Sequence, residues 1–126
     1  MKGRFQLDTD FLIWALNHRG AERDRLLELS EADTEICMSA IAWYEFCRGP
    51  RSPGQLALAE TFLSRSGIVP FSREMAELAA DFFRRLGSPR RRANDISIAA
   101  TAMVCQAVLL TRNHADFEGL TGLQLG

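Results

Sequence analysis

The chain contains 126 residues, carries a formal net charge of −1, and is 47% hydrophobic and 25% charged. These values exclude an intrinsically disordered segment, because a chain of this length and composition buries enough apolar surface to support a core. Since no repeat or low-complexity linker interrupts it, we expect residues 1–126 to form a single domain.

Short apolar runs alternate with amphipathic segments along the chain. The runs predict strands over residues 4–7, 35–38, 67–71 and 107–111, with a small edge strand over residues 122–125. Apolar residues at helical spacing predict helices over residues 11–16, 21–29, 40–48, 53–66, 72–83 and 94–106. This alternation indicates an α/β fold in which helices flank a mostly parallel central sheet.

The apolar segments and the cysteines favour a cytoplasmic protein with no membrane span. The longest mostly apolar stretch, residues 96–110, is broken by polar side chains and is shorter than the roughly 20 residues that cross a bilayer. The run over residues 11–16 is too short for the apolar region of a signal peptide. Cys37, Cys47 and Cys105 are odd in number and widely spaced, so we expect buried, reduced thiols.

Several catalytic chemistries are excluded by what the chain lacks. Lys2 is the only lysine, so neither a P-loop lysine nor the active-site lysine of a phosphorylation receiver is present. His18 and His114 are the only histidines, which argues against a multi-histidine metal site. Carboxylates remain the plentiful reactive groups.

Four acidic residues are expected to meet at one edge of the sheet. Asp8 ends the first strand, Glu45 lies in the helix after the second, Asp95 opens the helix before the last long strand, and Asp116 follows that strand. Ligand sites gather at the carboxyl ends of parallel strands. A helix that runs antiparallel to its following strand begins where that strand ends, so Asp95 and Asp116 should lie close together.

Three of these positions also have a structural explanation. Asp8 or Asp10 could cap the helix that follows, Asp95 suits the first turn of a helix, and Asp116 lies in a turn-rich stretch. Each residue taken alone therefore leaves a structural role and a functional role open.

Glu45 has the most apolar sequence neighbours of any acid in the chain, which predicts a buried carboxylate that needs a partner. Arg48, three residues further on, could supply a structural ion pair. The other candidate is Mg²⁺ or Mn²⁺, since both prefer oxygen ligands and several carboxylates form a suitable site. Such a site can activate water for attack on a phosphodiester.

Four segments follow one another in a recognisable order: Leu7-Asp8-Thr9-Asp10, residues 45–49 (EFCRG), residues 95–102 (DISIAATA) and residues 111–117 (TRNHADF). They resemble the L-D-T-N, E-L-x-x-G, D-x-x-I-A-A-x-A and T-R-N-x-x-D-F motifs of the PIN-domain nucleases, in particular the VapC-type toxins of bacterial toxin–antitoxin pairs. The resemblance covers nearly the whole chain and implies a PIN-like fold.

By this resemblance, Asp8, Glu45 and Asp95 are catalytic acids that bind the metal. Asp116 falls at the fourth acidic position, with Asn113 as the alternative. Asp10 stands where the family usually has asparagine and adds a negative charge close to Asp8. Three further residues are expected to support the site: Thr9, Asp10 and Thr111.

The resemblance further implies an endoribonuclease that depends on Mg²⁺ or Mn²⁺, forms a homodimer and is inhibited by a small antitoxin. We expect residues 11–16 or 53–66 to form the dimer surface. Two other functions fit the same acids: a metal-dependent nuclease acting on DNA or a flap, and a non-catalytic domain that binds through its acidic pocket.

A net charge of −1 is low for a protein that binds RNA, but basic residues are concentrated before Asp95. The predicted basic rim consists of Arg84, Arg85, Arg90, Arg91 and Arg92, of which the last three are the expected RNA contacts. A solvated run of charges is the alternative. We interpret Trp14, Trp43 and Tyr44, at helical positions, as core or dimer-interface residues.

Overall fold

The computed structural model describes residues 3–63 and 67–126, and a five-stranded sheet lies at its centre. The strands are β1 (Gly3–Leu7), β2 (Thr34–Ser39), β3 (Ile68–Val69), β4 (Val108–Leu110) and β5 (Gln124–Leu125), in the order β3-β2-β1-β4-β5. Every neighbouring pair is parallel. The predicted α/β fold with a parallel sheet is confirmed, including its small edge strand.

The described residues form α1 (Thr9–Asn17), α2 (Ala21–Glu31), α3 (Ala40–Arg48), α4 (Pro53–Phe62), α5 (Arg73–Arg85) and α6 (Ala93–Val104). Each corresponds to a predicted helix. The helix predicted over residues 53–66 ends at Phe62, and residues 64–66 lie outside the described part of the chain. The helix predicted over residues 94–106 ends at Val104, because Gln106 adopts a left-handed backbone conformation with φ of 55°.

Side-chain caps begin two helices directly at the ends of strands. Oδ1 of Asp8 accepts the backbone N–H of Thr9 where α1 begins, and Oγ of Ser39 accepts the backbone N–H of Ala42 where α3 begins. The capping role considered for Asp8 is therefore present. Asp95 lies in the first turn of α6 but does not occupy its N-cap position.

The parallel register brings the ends of the central strands to one level. Leu7 pairs with Leu110, and Gln6 pairs with Cys37, so Met38 lies level with Leu7. Three apolar residues at this edge are buried: Leu7, Met38 and Leu110. The residues that follow each strand, including Asp8, consequently emerge side by side.

The environments of the three cysteines differ. Cys37 is buried, whereas Cys47 is exposed because α3 turns Ala42 and Phe46 toward the core. The prediction of buried thiols is therefore confirmed for Cys37 and wrong for Cys47, and Cys105 is only partly buried. Within residues 3–63 and 67–126, every helix is too short or too polar to cross a membrane.

Candidate metal centre

Asp8 lies at the carboxyl edge of the sheet and exposes only 6% of its surface. Its Oδ1 accepts the backbone N–H of Thr9, and its Oδ2 accepts the hydroxyl of Thr111, each at 2.9 Å. Burial raises the pKa of Asp8 to about 6; the two hydrogen bonds oppose this increase, and the charges of Asp10 and Glu45 add to it. Both carboxylate oxygens are therefore oriented by hydrogen bonds.

Thr111 and Asn113 link Asp8 to Asp10. The Thr111 hydroxyl that donates to Asp8 also accepts the backbone N–H of Asn113 at 3.1 Å. The side-chain amide of Asn113 donates to Oδ2 of Asp10 at 3.2 Å. Asn113 is thus a hydrogen-bond donor to one of the acids at this edge.

Glu45 reaches the same edge from α3. Its Oε1 lies 3.0 Å from the hydroxyl of Thr9, and its Oε2 accepts the side-chain amide of Asn94 at 3.2 Å. Nη2 of Arg48 is 3.9 Å from Oε2, so the considered ion pair is present but long. The side chain of Glu45 is 20% exposed, contrary to the prediction of a buried carboxylate. Asp8 is more deeply buried than Glu45. The apolar sequence neighbours of Glu45 do not enclose it, because successive side chains on a helix point in different directions.

Asp95 experiences the charges of the other acids at this edge. Its pKa is raised to about 7, chiefly by burial and then by the charges of Asp8, Asp116, Glu45 and Asp10. Asp116 itself is exposed in a short 3₁₀ turn after β4. The carboxyl edge thus gathers the four predicted acids and Asp10 within electrostatic range.

The donor atoms at this edge fit a divalent cation. Carboxylate oxygens are the ligands that Mg²⁺ and Mn²⁺ prefer, and a cation would offset the repulsion that contributes to the raised pKa of Asp8 and of Asp95. In the described part of the chain, no three acidic, histidine or cysteine side chains lie close enough to hold one ion together. The acids are therefore gathered at one edge without forming a closed coordination sphere.

Asn94 is a site residue that the sequence analysis missed. Its amide joins the beginning of α6 to Glu45 on α3, 49 residues away in the chain. The only signal in the sequence is its place beside Asp95. That position does not reveal the contact, because the contact depends on how α3 and α6 pack.

The predicted RNA contacts differ in their surroundings. Arg92 donates to the backbone carbonyl groups of Asp116 and Glu118 at 3.1 and 2.6 Å, which ties the turn after β4 to the beginning of α6. Arg90 and Arg91 are exposed. The two rim arginines on α5 pair with an aspartate of the same helix. Arg92 therefore has a structural role in addition to any contact with RNA.

Thr111→Val is expected to lower the free energy of unfolding by about 1–3 kcal/mol at neutral pH without metal, because it removes the partner of Asp8 Oδ2 and of the Asn113 N–H while preserving the side-chain shape. Urea unfolding measures the loss. The matched control is Thr101→Val, since the hydroxyl of this buried residue donates only to a carbonyl group within α6. Equal losses in the two variants would contradict a specific role of Thr111 in supporting Asp8.

Comparison with known proteins shows the family to which the chain is similar. Residues 6–121 match the family model described as PIN domain. The chain is 32% identical over 120 residues to Ribonuclease VapC19 of Mycobacterium tuberculosis, a match that covers 94% of this chain and 95% of that protein.

Solved structures share the fold. A chain of a toxin–antitoxin complex from Klebsiella pneumoniae is 26% identical with a TM-score of 0.69, covering 94% of this chain and 93% of that chain. A chain of VapBC-1 from nontypeable Haemophilus influenzae is 22% identical with a TM-score of 0.75, covering 98% of this chain and 96% of that chain. A chain of VapBC2 from Rickettsia felis, bound to a promoter DNA fragment, is 23% identical with a TM-score of 0.74, covering 98% of this chain and 97% of that chain.

Proposed function

The chain belongs to the PIN domain family, and from that premise we propose that residues 1–126 form a single divalent-metal-dependent endoribonuclease domain, the toxin of a type II toxin–antitoxin pair. The observation that carries the proposal is the gathering of acids around Asp95 at the carboxyl edge of the sheet. The relation to Ribonuclease VapC19 supports RNA as the polymer that is cut. The odd number and wide spacing of the three cysteines favour reduced thiols and action in the cytoplasm.

We assign metal binding to Asp8, Glu45 and Asp95, with Asp116 as the fourth acid. When bound, Mg²⁺ or Mn²⁺ supplies neutralisation of the phosphodiester charge and lowers the pKa of water. The hydroxyl groups of Thr9 and Thr111 and the amide of Asn94 orient the carboxylates before substrate arrives. This preorganisation reduces the rearrangement that the reaction would otherwise require.

Hydrolysis forms a bond between the water oxygen and phosphorus and breaks one P–O ester bond. The proton released by water is accepted by a carboxylate of the acid cluster and the leaving oxygen is protonated from solvent, so a histidine base is not required. The exposed Arg90 and Arg91 lie just before α6 and provide cations for the RNA phosphates. Arg92 contributes by holding the turn that carries Asp116.

The test is cleavage of end-labelled RNA and DNA of the same base sequence with Mg²⁺, with Mn²⁺ and with EDTA. We expect internal cuts in RNA, intact DNA, and no reaction in EDTA. Preferential cutting of DNA or of a flap would overturn the RNA assignment in favour of a DNA or flap nuclease. A protein that binds RNA and cuts neither polymer with either metal would indicate a non-catalytic acidic-pocket domain.

The partner that we propose is a small antitoxin, supported by the similar fold of chains from toxin–antitoxin complexes. A basic side chain of that partner would be attracted to the acids at the carboxyl edge, where it replaces the cation. This arrangement explains inhibition without requiring the antitoxin to unfold the nuclease.

We expect the chain to form a homodimer, and the exposure of its apolar side chains favours α4 over α1 as the dimer surface. Phe11, Leu12 and Ala15 are buried in the core, whereas Leu58 on α4 is 46% exposed beside an apolar cavity of about 240 Å³. Leu58→Glu should therefore shift sedimentation from dimer to monomer, because it places a charge in an apolar contact. Phe71→Glu is the matched control at another exposed apolar residue. Dissociation by the Phe71 variant alone would place the interface elsewhere.

A further inference from the structure

Tyr44 has an unusual position for a large aromatic residue. It is 60% exposed, the highest value among the exposed large hydrophobic residues of the described chain. It precedes Glu45 on α3, and the guanidinium of Arg48 lies near both its ring and the Glu45 carboxylate. Of the two interpretations of Tyr44, the core position is therefore wrong, since α3 directs Ala42 and Phe46 inward instead, and the position at a dimer interface stays a prediction.

Arg48 lies one helical turn after Tyr44, and its guanidinium lies over the Tyr44 ring. The Cζ atom of Arg48 is 5.3 Å from the ring centroid of Tyr44, and Nη2 is 3.9 Å from Oε2 of Glu45. The side chain of Arg48 is 56% exposed. Because its ion pair with Glu45 is long and its side chain is mostly exposed, the guanidinium can also reach a ligand. The exposed ring of Tyr44 and the exposed guanidinium of Arg48 thus lie together beside the carboxylate of Glu45.

The aromatic–arginine pair formed by Trp14 and Arg112 is arranged differently. Trp14 stacks on His18 at a centroid distance of 3.7 Å, and the Cζ atom of Arg112 lies 3.6 Å from the Trp14 centroid. Two groups that close to one centroid must occupy opposite faces of the ring. Both faces of Trp14 are covered, whereas among the ring-stacking and cation–π contacts of the described residues the Tyr44 ring has Arg48 alone, at a longer distance.

We propose that Tyr44 and Arg48 form a nucleotide subsite for single-stranded RNA beside the acid cluster, an inference that rests on the proposed ribonuclease function. The phenol ring stacks on one base, and the guanidinium binds an adjacent phosphate. A single strand is required, because the face of a base in a duplex is already stacked on its neighbours. Arg48 also supplies positive charge where Glu45 would otherwise repel the backbone.

The test is binding of a fluorescein-labelled oligouridine, compared with an abasic oligomer that has the same number of phosphates, in EDTA so that nothing is cut. Tyr44→Ala should weaken oligouridine binding about tenfold, whereas Tyr44→Phe should retain it, because stacking requires the ring and not its hydroxyl. The abasic oligomer should not distinguish Tyr44→Ala from wild type. Arg48→Ala should weaken both probes and reduce the dependence of binding on salt. The matched control is Arg73→Ala, at an exposed arginine of α5.

Wild-type affinity of Tyr44→Ala for oligouridine would overturn the subsite. Equal weakening of both probes, together with dissociation of a dimer in sedimentation, would overturn it in favour of a contact between subunits. Cleavage by wild type with unchanged KM in Tyr44→Ala would also overturn the subsite while leaving the ribonuclease function in place. Base-dependent binding through Tyr44 without cleavage by wild type would support the subsite and reject the ribonuclease function.

Discussion

Asp95→Asn is expected to lower RNA cleavage at least about a hundredfold. Loss of a metal ligand should lower the cleavage rate at least as much as loss of a residue that only orients a metal ligand. The metal-free variant should be as stable as wild type or slightly more stable. Asp95 carries its charge near Asp8, Asp116, Glu45 and Asp10, and asparagine removes that charge with little change in shape. Addition of Mn²⁺ should raise the melting temperature of wild type more than that of the variant, since a bound ion stabilises only the state that binds it.

The matched control for this variant is Asp24→Asn. Asp24 is exposed in the first turn of α2, as Asp95 lies in the first turn of α6, so both variants lose a favourable interaction with a helix N-terminus. The control should cleave RNA and respond to Mn²⁺ as wild type does. Normal cleavage by Asp95→Asn, or a loss of several kcal/mol without metal, would identify Asp95 as a structural residue and contradict the four-acid site.

Metal-free wild type is expected to lose stability relative to Asp95→Asn as the pH rises from about 4 to about 7, by on the order of 2 kcal/mol after solvent screening. The pKa of Asp95 is raised in the folded protein from 3.8 to about 7, so the fold favours the protonated carboxyl. This contribution to stability is fully present below the unfolded pKa. It decreases as pH rises and is lost above the folded pKa. Asp8, whose pKa is raised to about 6, acts in the same direction.

Urea unfolding in EDTA across this pH range measures the effect. The free energy of unfolding of wild type is subtracted from that of Asp95→Asn at each pH, so that contributions from groups that titrate alike in both proteins cancel. Asp24→Asn should show a difference from wild type that hardly changes with pH. A difference for Asp95→Asn that stays constant, or that shifts in favour of wild type as pH rises, would contradict repulsion and burial at this site.

The local pattern of the sequence was sufficient to predict the fold class and the edge at which the acids lie. The alternation of apolar runs with helical spacing limits how the runs can be buried, and a parallel sheet satisfies that limit. Asp8 and Asp116 follow two neighbouring parallel strands, so their common edge follows from chain direction. The order of the four motifs also identified the family, because the motifs are read along the chain without knowledge of contacts.

Only the tertiary structure decided how deeply each acid is buried and which side chains hold it. Sequence neighbours predicted Glu45 as the buried acid, but side chains around α3 point in different directions, and the packed edge encloses Asp8 instead. Thr111 reaches Asp8 across 103 positions, and Asn94 reaches Glu45 across 49. Such contacts depend on strand register and on the rotation of each helix about its axis. Local periodicity does not determine register or rotation closely enough to predict an individual contact. The same rotation turned Tyr44 toward solvent beside the acids, although its spacing also fitted a core position.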